Sequence, residues 1–221
     1  RGPVGLADRG AAVRVSLDVT AVPASPAGAG RYVIELTRAL AALGEPDLVL
    51  VSRRHDGPRW HEYAGPGVGV LPAAPGPRPL RLAWEQLSLP GVIRRLEADV
   101  HHGPHYTMPR RSRLPAVVTV HDMTFVDHPE WHERGKAAYF RGAIRAALRS
   151  ARVIVCVSQA TADRLLAFGQ PAGQVLVIPH GVDLDRFAPA GDDGMADREM
   201  LATLGVSAPY VAFVGTVEPR K

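Results

Sequence analysis

The sequence predicts an α/β fold built on a mostly parallel, doubly wound sheet. Three observations carry that expectation. Short runs of Val, Ile and Leu alternate with stretches of helical apolar period. Several runs are apolar throughout, as strands covered on both faces are. Their last residues are polar, at the end of the strand where an open parallel sheet binds ligands.

The elements follow in order. Val13–Val19 (VRVSLDV) reads as the first strand. Gly30–Leu43 reads as a helix, because Tyr32, Val33, Leu36, Ala39, Leu40 and Leu43 share one face, and Gly44 ends it. Asp47–Ser52 is the second strand and Gly67–Ala73 the third, with the loop APGPRP behind it. Leu80–Glu97 is helical and broken near Pro90. Four apolar runs follow, ADVHH, PAVVTVHD, ARVIVCVS and QVLVIPHG, each read as a fully buried strand. A helix from Glu133 to Ser150 lies between the second and third of them. Another, Ser158–Gly169, lies between the third and fourth, with Ser158 as N-cap and Gly169 as C-cap. APAGDDGMAD is a linker, Asp197–Leu204 a short helix and YVAFVG a last strand.

Composition bounds the function. Apolar residues make up 46%, enough for a core, and 221 residues fit one large domain or a domain and a piece. The net charge of +4 fits an anionic small ligand or a membrane surface and is too small to argue for nucleic acid. Only two of the 26 basic residues are lysine, a bias of genome composition more than of function. Cys156 stands alone in an apolar run, so it forms no internal disulfide, and the chain reads as cytoplasmic. No apolar run approaches the roughly 20 residues of a membrane span, and residues 1–12 read as a loose tail, not a signal peptide.

The polar strand ends are the candidate site: Asp18, His101, His102, His121, Asp122, Ser158, His180 and Asp183. Gly28 and Gly30 precede a helix, where backbone N–H groups and the helix dipole favour an anion. The same glycines also suit a flexible loop with a cap. The spacing is not a dinucleotide fingerprint, since about nine residues separate these glycines from the strand. At the end of a strand, His121 suits a sugar hydroxyl or a proton transfer, and Asp122 an acceptor hydroxyl. As a plain reading the pair caps a strand. His101, His102 and His105 match no standard metal spacing and read as cleft-lining or capping residues, so no metal is expected. Arg134, Arg141, Arg145, Arg149 and Arg152 form a basic helical face, read either as a contact for anionic lipid or a partner, or as a solvated surface. Arg53 and Arg54 after a strand imitate an NADP phosphate pair, which keeps an oxidoreductase as an alternative.

Five segments in order, GAGRYVIEL, TVHDMTF, VIVCVSQAT, VIPHGVDLDRF and FVGTVEPRK, resemble the amino-terminal half of a family 4 glycosyltransferase of the two-domain GT-B fold. The resemblance covers Gly28 to Lys221. It implies a Rossmann-like, acceptor-side domain over residues 13–185, a linker with a short helix over 186–208, and the first strand and turn of a nucleotide-sugar-binding domain over 209–221. It implies a metal-independent, retaining hexosyl transfer from a nucleotide-sugar, GDP-mannose being hinted by GTVEPRK, to a glycan, lipid-linked or small acceptor. Gly28, Gly30 and Arg31 would hold or shape the donor-phosphate loop, with Arg220 and Lys221 on the diphosphate. His121 would face the transferred sugar and Asp122 the acceptor. His102 and Ser158 would line the cleft, with His180 and Asp183 at the crossing to the second domain. Ala27 departs from the family, which often has glycine there. A chain ending at Lys221 is expected to be inactive alone, to contact membranes only peripherally, and to dimerise through the face left open by the second domain.

Overall fold

The computed structural model describes residues 12–187, 195–207, 209–213 and 215. The chain divides into two compact units that meet after Pro179. The first holds a seven-stranded sheet in the order β3-β2-β1-β4-β5-β6-β7, with every pairing parallel. Its strands are β1 (Arg14–Asp18), β2 (Asp47–Arg53), β3 (Gly69–Ala74), β4 (Val100–Gly103), β5 (Ala116–Val120), β6 (Val153–Cys156) and β7 (Gln174–Val177). The helices between them are α1 (Gly28–Leu43), α2 (Gly57–Ala64), α3 (Arg78–Leu87), α4 (Leu89–Arg95), the short α5 (Thr124–Asp127), α6 (Arg134–Ser150) and α7 (Gln159–Phe168). The α/β, Rossmann-like expectation holds.

The order of strands explains where the site lies. The chain runs outward from β1 to β3, returns to place β4 beside β1, and then runs outward the other way to β7. The loops after β1 and β4 therefore leave in opposite directions and open a crevice between them.

Three apolar clusters hold the layers together. On β1 and β2, Leu17, Leu48 and Leu50 pack against Val33 and Ile34 of α1 and Trp60 of α2. Val49 and Val51 alternate with Leu48 and Leu50 along β2, so they point to the other face, where Leu89 and Ile93 of α4 cover them. Val118, Val120, Ile154 and Cys156 pack under Ile144, Ala147 and Leu148 of α6. Each fully buried aliphatic side chain contributes about 1.5–3 kcal/mol of transfer free energy.

The structure departs from the sequence reading at several places. The run read as Leu80–Glu97 is two helices that part at Ser88, and Pro90 sits in the first turn of α4, where its missing N–H costs nothing. β7 was expected to be fully buried, but it is an edge strand, and Leu176 and Val177 are 42% and 39% exposed. Composition reports apolar character, and only topology reports which strand has a single neighbour. The Gly169 cap holds, but its φ of 175° is extended backbone that any residue adopts, and a Cβ there would press only on the end of the Leu148 side chain, at 2.9 Å.

In the second unit, α8 (Met195–Thr203) matches the expected short helix. YVAFVG has a strand pattern but is expected not to pack as a native strand where its sheet partners are absent, and no strand forms there among the described residues: Val211 is 99% exposed and Phe213 77%. A strand needs a paired neighbour, and these residues have none among those described.

Candidate active site

The crevice at the sheet's switch point is lined by Asp18, Ala21, Val22, Pro23, Ala29, Gly30, Val33, Pro104 and His105. One wall is the loop from β1 to α1. Arginines hold it from behind. Arg53 Nη2 donates to the Val22 carbonyl at 2.8 Å and Arg59 Nη1 to the Pro23 carbonyl at 2.8 Å, while Asp56 pairs with Arg53 at 2.5 Å and with Arg59 at 3.2 Å. This corrects the reading of Arg53 as a cofactor-phosphate ligand, because its guanidinium is committed to the loop backbone.

The loop delivers the N-terminus of α1. Ala27 caps it without a side-chain hydrogen bond, and the first turn holds no acidic residue. A 16-residue helix thus presents its first N–H groups and the positive end of its dipole without an internal counter-charge. The two glycines do different work. The α-carbon of Gly28 has nothing within 4 Å of where a Cβ would stand, so it leaves room for an approaching group. A Cβ on Gly30 would meet Pro26 at 2.9 Å, so Gly30 serves the loop's own packing. Arg31 is exposed in the same turn, its N–H bonded to the Ala27 carbonyl.

The other wall is the crossover from β4 to β5, which contains no helix or strand. A Cβ on Gly103 would collide with the Thr107 carbonyl, so this tight return requires glycine. Tyr106 takes a left-handed φ of 65°, held by its N–H to the Thr119 carbonyl at 2.9 Å.

His121 stands at the end of β5 inside a ring of aromatic side chains. Tyr32 meets it edge-on with centroids 5.0 Å apart, Tyr106 at 5.6 Å, and His105 lies tilted at 5.7 Å. His121 Nε2 is 2.8 Å from the Pro104 carbonyl, which only accepts, so Nε2 carries the hydrogen. That nitrogen orients the ring and is not the one that shuttles a proton. The Thr119 hydroxyl joins Tyr32 Oη at 3.3 Å to His102 Nε2 at 2.9 Å. Burial lowers His102 to about 4, helped by repulsion from His101 and His121, and lowers His105 to about 4 in the same way. Both are neutral at pH 7. His101 is 1% exposed and faces Ser16 at 3.2 Å, as a neutral core histidine.

Other expected site residues have structural tasks. Asp122 Oδ1 accepts from the amide of Thr124 at 3.0 Å and from its hydroxyl at 2.7 Å, holding the first turn of α5. Ser158 is the N-cap of α7, accepting from the Thr161 amide at 3.1 Å. In the second unit Asp183 caps its own turn, accepting from the amides of Asp185 and Arg186. His180 is exposed there, and Arg220 and Lys221 lie outside the described residues. On α6, Arg141 donates to the carbonyls of Phe125 and Val126, so only Arg145 and Arg149 of the described helix arginines remain solvated. No cluster of three metal-binding side chains is found among the described residues, nor a helix long and apolar enough to cross a membrane.

The sequence reading missed Glu85, Arg81 and Thr107. Glu85 is 3% exposed on α3, and burial pushes its carboxyl up to about 8, with the like charge of Asp18 adding to the shift. Asp18 is buried too and raised by desolvation, against which the hydrogen bonds of Thr20 and the charge of Arg81 favour its ionised form.

Comparison with known proteins bears on the family and the fold. The model of the family Glycosyltransferase Family 4 matches residues 26–186. O-antigen chain mannosyltransferase B of Escherichia coli is 28% identical over 146 residues, 65% of this chain and 35% of that protein. D-inositol 3-phosphate glycosyltransferase of Nocardiopsis dassonvillei is 28% identical over 218 residues, 88% of this chain and 49% of that protein. The chain thus spans half or less of the length of these two curated relatives. Among solved structures, HepE of Anabaena in complex with UDP-glucose aligns with a TM-score of 0.57 at 17% identity, over 87% of this chain and 50% of that one. A glycosyltransferase from Rickettsia africae aligns with a TM-score of 0.54 at 16% identity, over 90% and 51%. These two likenesses bear on the fold. The family match covers most of the chain, and the chain belongs to glycosyltransferase family 4.

Proposed function

We propose that this chain is the amino-terminal, mainly acceptor-binding domain of a retaining glycosyltransferase that moves a hexose from a nucleotide-sugar to a glycan, lipid-linked or small acceptor. One observation carries the reading. Gly28 opens α1, and Tyr32, one helical turn later, packs edge-on against His121. A helical turn rises about 5.4 Å. A phosphate held at the start of α1 would therefore place its attached sugar within reach of His121.

In this reading the N–H groups at Gly28 and its neighbours stabilise negative charge as the bond between sugar and phosphate breaks. Arg31 shapes that turn, and Arg220 and Lys221 add positive charge. His121, fixed by Pro104 and its aromatic ring of neighbours, packs against the transferred sugar. Asp18 and His105, on the crevice wall, and Asp122 face the acceptor, with His102 and Ser158 lining the cleft; His180 and Asp183 mark the crossing to the second domain. The donor's base belongs to a second domain, so this chain alone binds nucleotide-sugar weakly and does not turn it over. No metal takes part. The relative of Escherichia coli bears the name of a mannosyltransferase, and HepE was solved with UDP-glucose, which supports a hexose donor and leaves GDP-mannose as our first choice.

The test is an assay of the complete enzyme with GDP-mannose, UDP-glucose and related donors, reading product stereochemistry by NMR. A product with the donor's anomeric configuration is expected. An inverted product would overturn retention, and no transfer from any nucleotide-hexose would overturn the whole reading. Calorimetry on this chain is expected to show millimolar or weaker binding of the same donors, and micromolar binding would refute the assignment of the donor base to another domain.

A further inference from the structure

α3 buries one side chain fully, and it is a carboxyl. Glu85 sits 3% exposed where an apolar residue would serve packing better, since a buried polar group without partners is costly. Its partners explain its presence. Glu85 Oε2 lies 3.1 Å from the Thr107 hydroxyl, and Oε1 lies 3.0 Å from Nε2 of the adjacent Gln86. Gln86 continues the line. Its Nε2 donates to the Met108 carbonyl at 3.1 Å, and its Oε1 accepts from the Arg110 amide at 3.1 Å.

These bonds run from α3 to Thr107, Met108 and Arg110, the second half of the crossover between β4 and β5. The first half of the same crossover carries Pro104, on whose carbonyl His121 is set, and Tyr106, in its left-handed conformation. The crossover has no helix or strand of its own to hold it. We propose that the Glu85–Gln86 pair is the positioning element of this site: it clamps the crossover from Thr107 to Arg110 and so fixes the Pro104 carbonyl that aims His121.

The groups facing Glu85 fit a clamp built on a neutral acid. Asp18 approaches from the end of β1, Arg81 from α3 itself, Arg110 from the crossover and Tyr139 from α6. The Thr107 hydroxyl donates to Oε2 and the Gln86 amide to Oε1; a protonated Glu85 keeps both contacts by turning its own O–H toward the Thr107 oxygen. Gln in its place reproduces both contacts, with its NH₂ on Thr107 and its carbonyl on Gln86. The relevance of the clamp to catalysis rests on the role proposed for His121.

The experiment compares the wild type, Glu85→Gln, Glu85→Ala and Thr107→Val by NMR. It reads the exchange protection of the Tyr106 amide and the ¹⁵N resonance of His121 Nε2, with the Leu50 amide of β2 as internal control. Glu85→Ala and Thr107→Val are expected to lower Tyr106 protection at least tenfold relative to Leu50 and to move the His121 resonance. Glu85→Gln is expected to keep both as in the wild type. Unchanged signals in Thr107→Val, or a Glu85→Gln variant that behaves like Glu85→Ala, would overturn the assignment. If Glu85→Ala does not fold, the other two variants decide alone. No nucleotide-sugar is needed for these readouts, so failure of the glycosyl-transfer reading and failure of the clamp are separable.

Discussion

Replacing Glu85 by Gln should change how stability depends on pH, and the sign follows from the burial of the carboxyl. In the unfolded chain the group releases its proton near the ordinary value of 4.5, and in the fold it holds the proton until about 8. Between those values the folded state binds one proton more than the unfolded state. Stability from this group is therefore fully present below 4.5 and is lost as pH rises through 8, at about 1.4 kcal/mol per pH unit. Gln carries no proton and contributes no slope. The difference between variant and wild type should accordingly grow in the variant's favour by on the order of 4 kcal/mol between pH 5 and pH 8. For a unit of this size that corresponds to a widening gap in Tm of about 10 °C. The assay is thermal or urea unfolding of both proteins at pH 5, 6, 7 and 8, followed by circular dichroism. Titrating groups away from Glu85 are common to both proteins and cancel in the difference, and Asp18, coupled to Glu85, is the one neighbouring carboxyl that does not cancel fully. Two curves that stay parallel across this range would refute the argument that Glu85 is a buried neutral acid.

The remaining expectations concern other parts of the same unit. His101, His102 and His105 are each lowered from 6.5 to about 4 by burial, so their contribution is present above 6.5 and lost as pH falls through 4. In the Glu85→Gln variant, which removes the opposing slope of that carboxyl, urea midpoints should therefore drop between pH 6.5 and 4.5, and a flat profile there would contradict the burial of the three rings. Arg14 is 2% exposed, with Nε 2.6 Å from Asp47, itself 32% exposed, and Nη1 2.9 Å from the Leu96 carbonyl, so Arg14→Ala should cost about 1.5–3 kcal/mol in urea unfolding. Gly28→Ala should leave Tm within a few degrees, because a Cβ there meets nothing, yet lower kcat/KM for the donor at least tenfold in the complete enzyme. Gly30→Ala should instead cost about 1–3 kcal/mol in stability through its contact with Pro26.

The central architecture was legible because period and composition agree there. Leu48 to Val51 are apolar on both faces, and the structure covers both, with α1 and α2 on one side and α4 on the other. α2 escaped notice because Gly57–Ala64 is short and begins with Gly and Pro, which read as a loop. β7 looked like its neighbours because Val and Leu do not announce an edge. Of the site, Gly28, His102 and His121 were legible as polar or small residues at strand and helix ends, and the structure gathers them around Tyr32 and Thr119. Asp122 and Ser158 also stood out, and both turn out to hold helix starts. Glu85 was not legible at all. In LAWEQL a glutamate four residues after an arginine reads as a solvated helical pair, and only the fold turns that position toward Asp18 and Thr107.

Polar residues are not spread evenly over this sheet, and their placement is itself an argument about function. Ser16 and Asp18 on β1, His101 and His102 on β4 and Thr119 on β5 occupy three adjacent central strands, and four of the five are buried. Folding alone would favour valine at each position. A buried polar group at best recovers its desolvation through hydrogen bonds, and His101 Nε2 finds no partner among the described residues. On β2 the central residues Leu48 to Val51 are aliphatic, as are Val153 to Val155 on β6, and the polar residues of β2 (Asp47, Ser52 and Arg53) stand at its ends. The polar set therefore follows the switch point of the sheet, descending from the crevice wall at Asp18 and His102 to Ser16 and His101 beneath. Where β1, β4 and β5 meet, the core has given up some stability to keep histidines, hydroxyls and the Asp18 carboxyl in fixed positions near the start of α1.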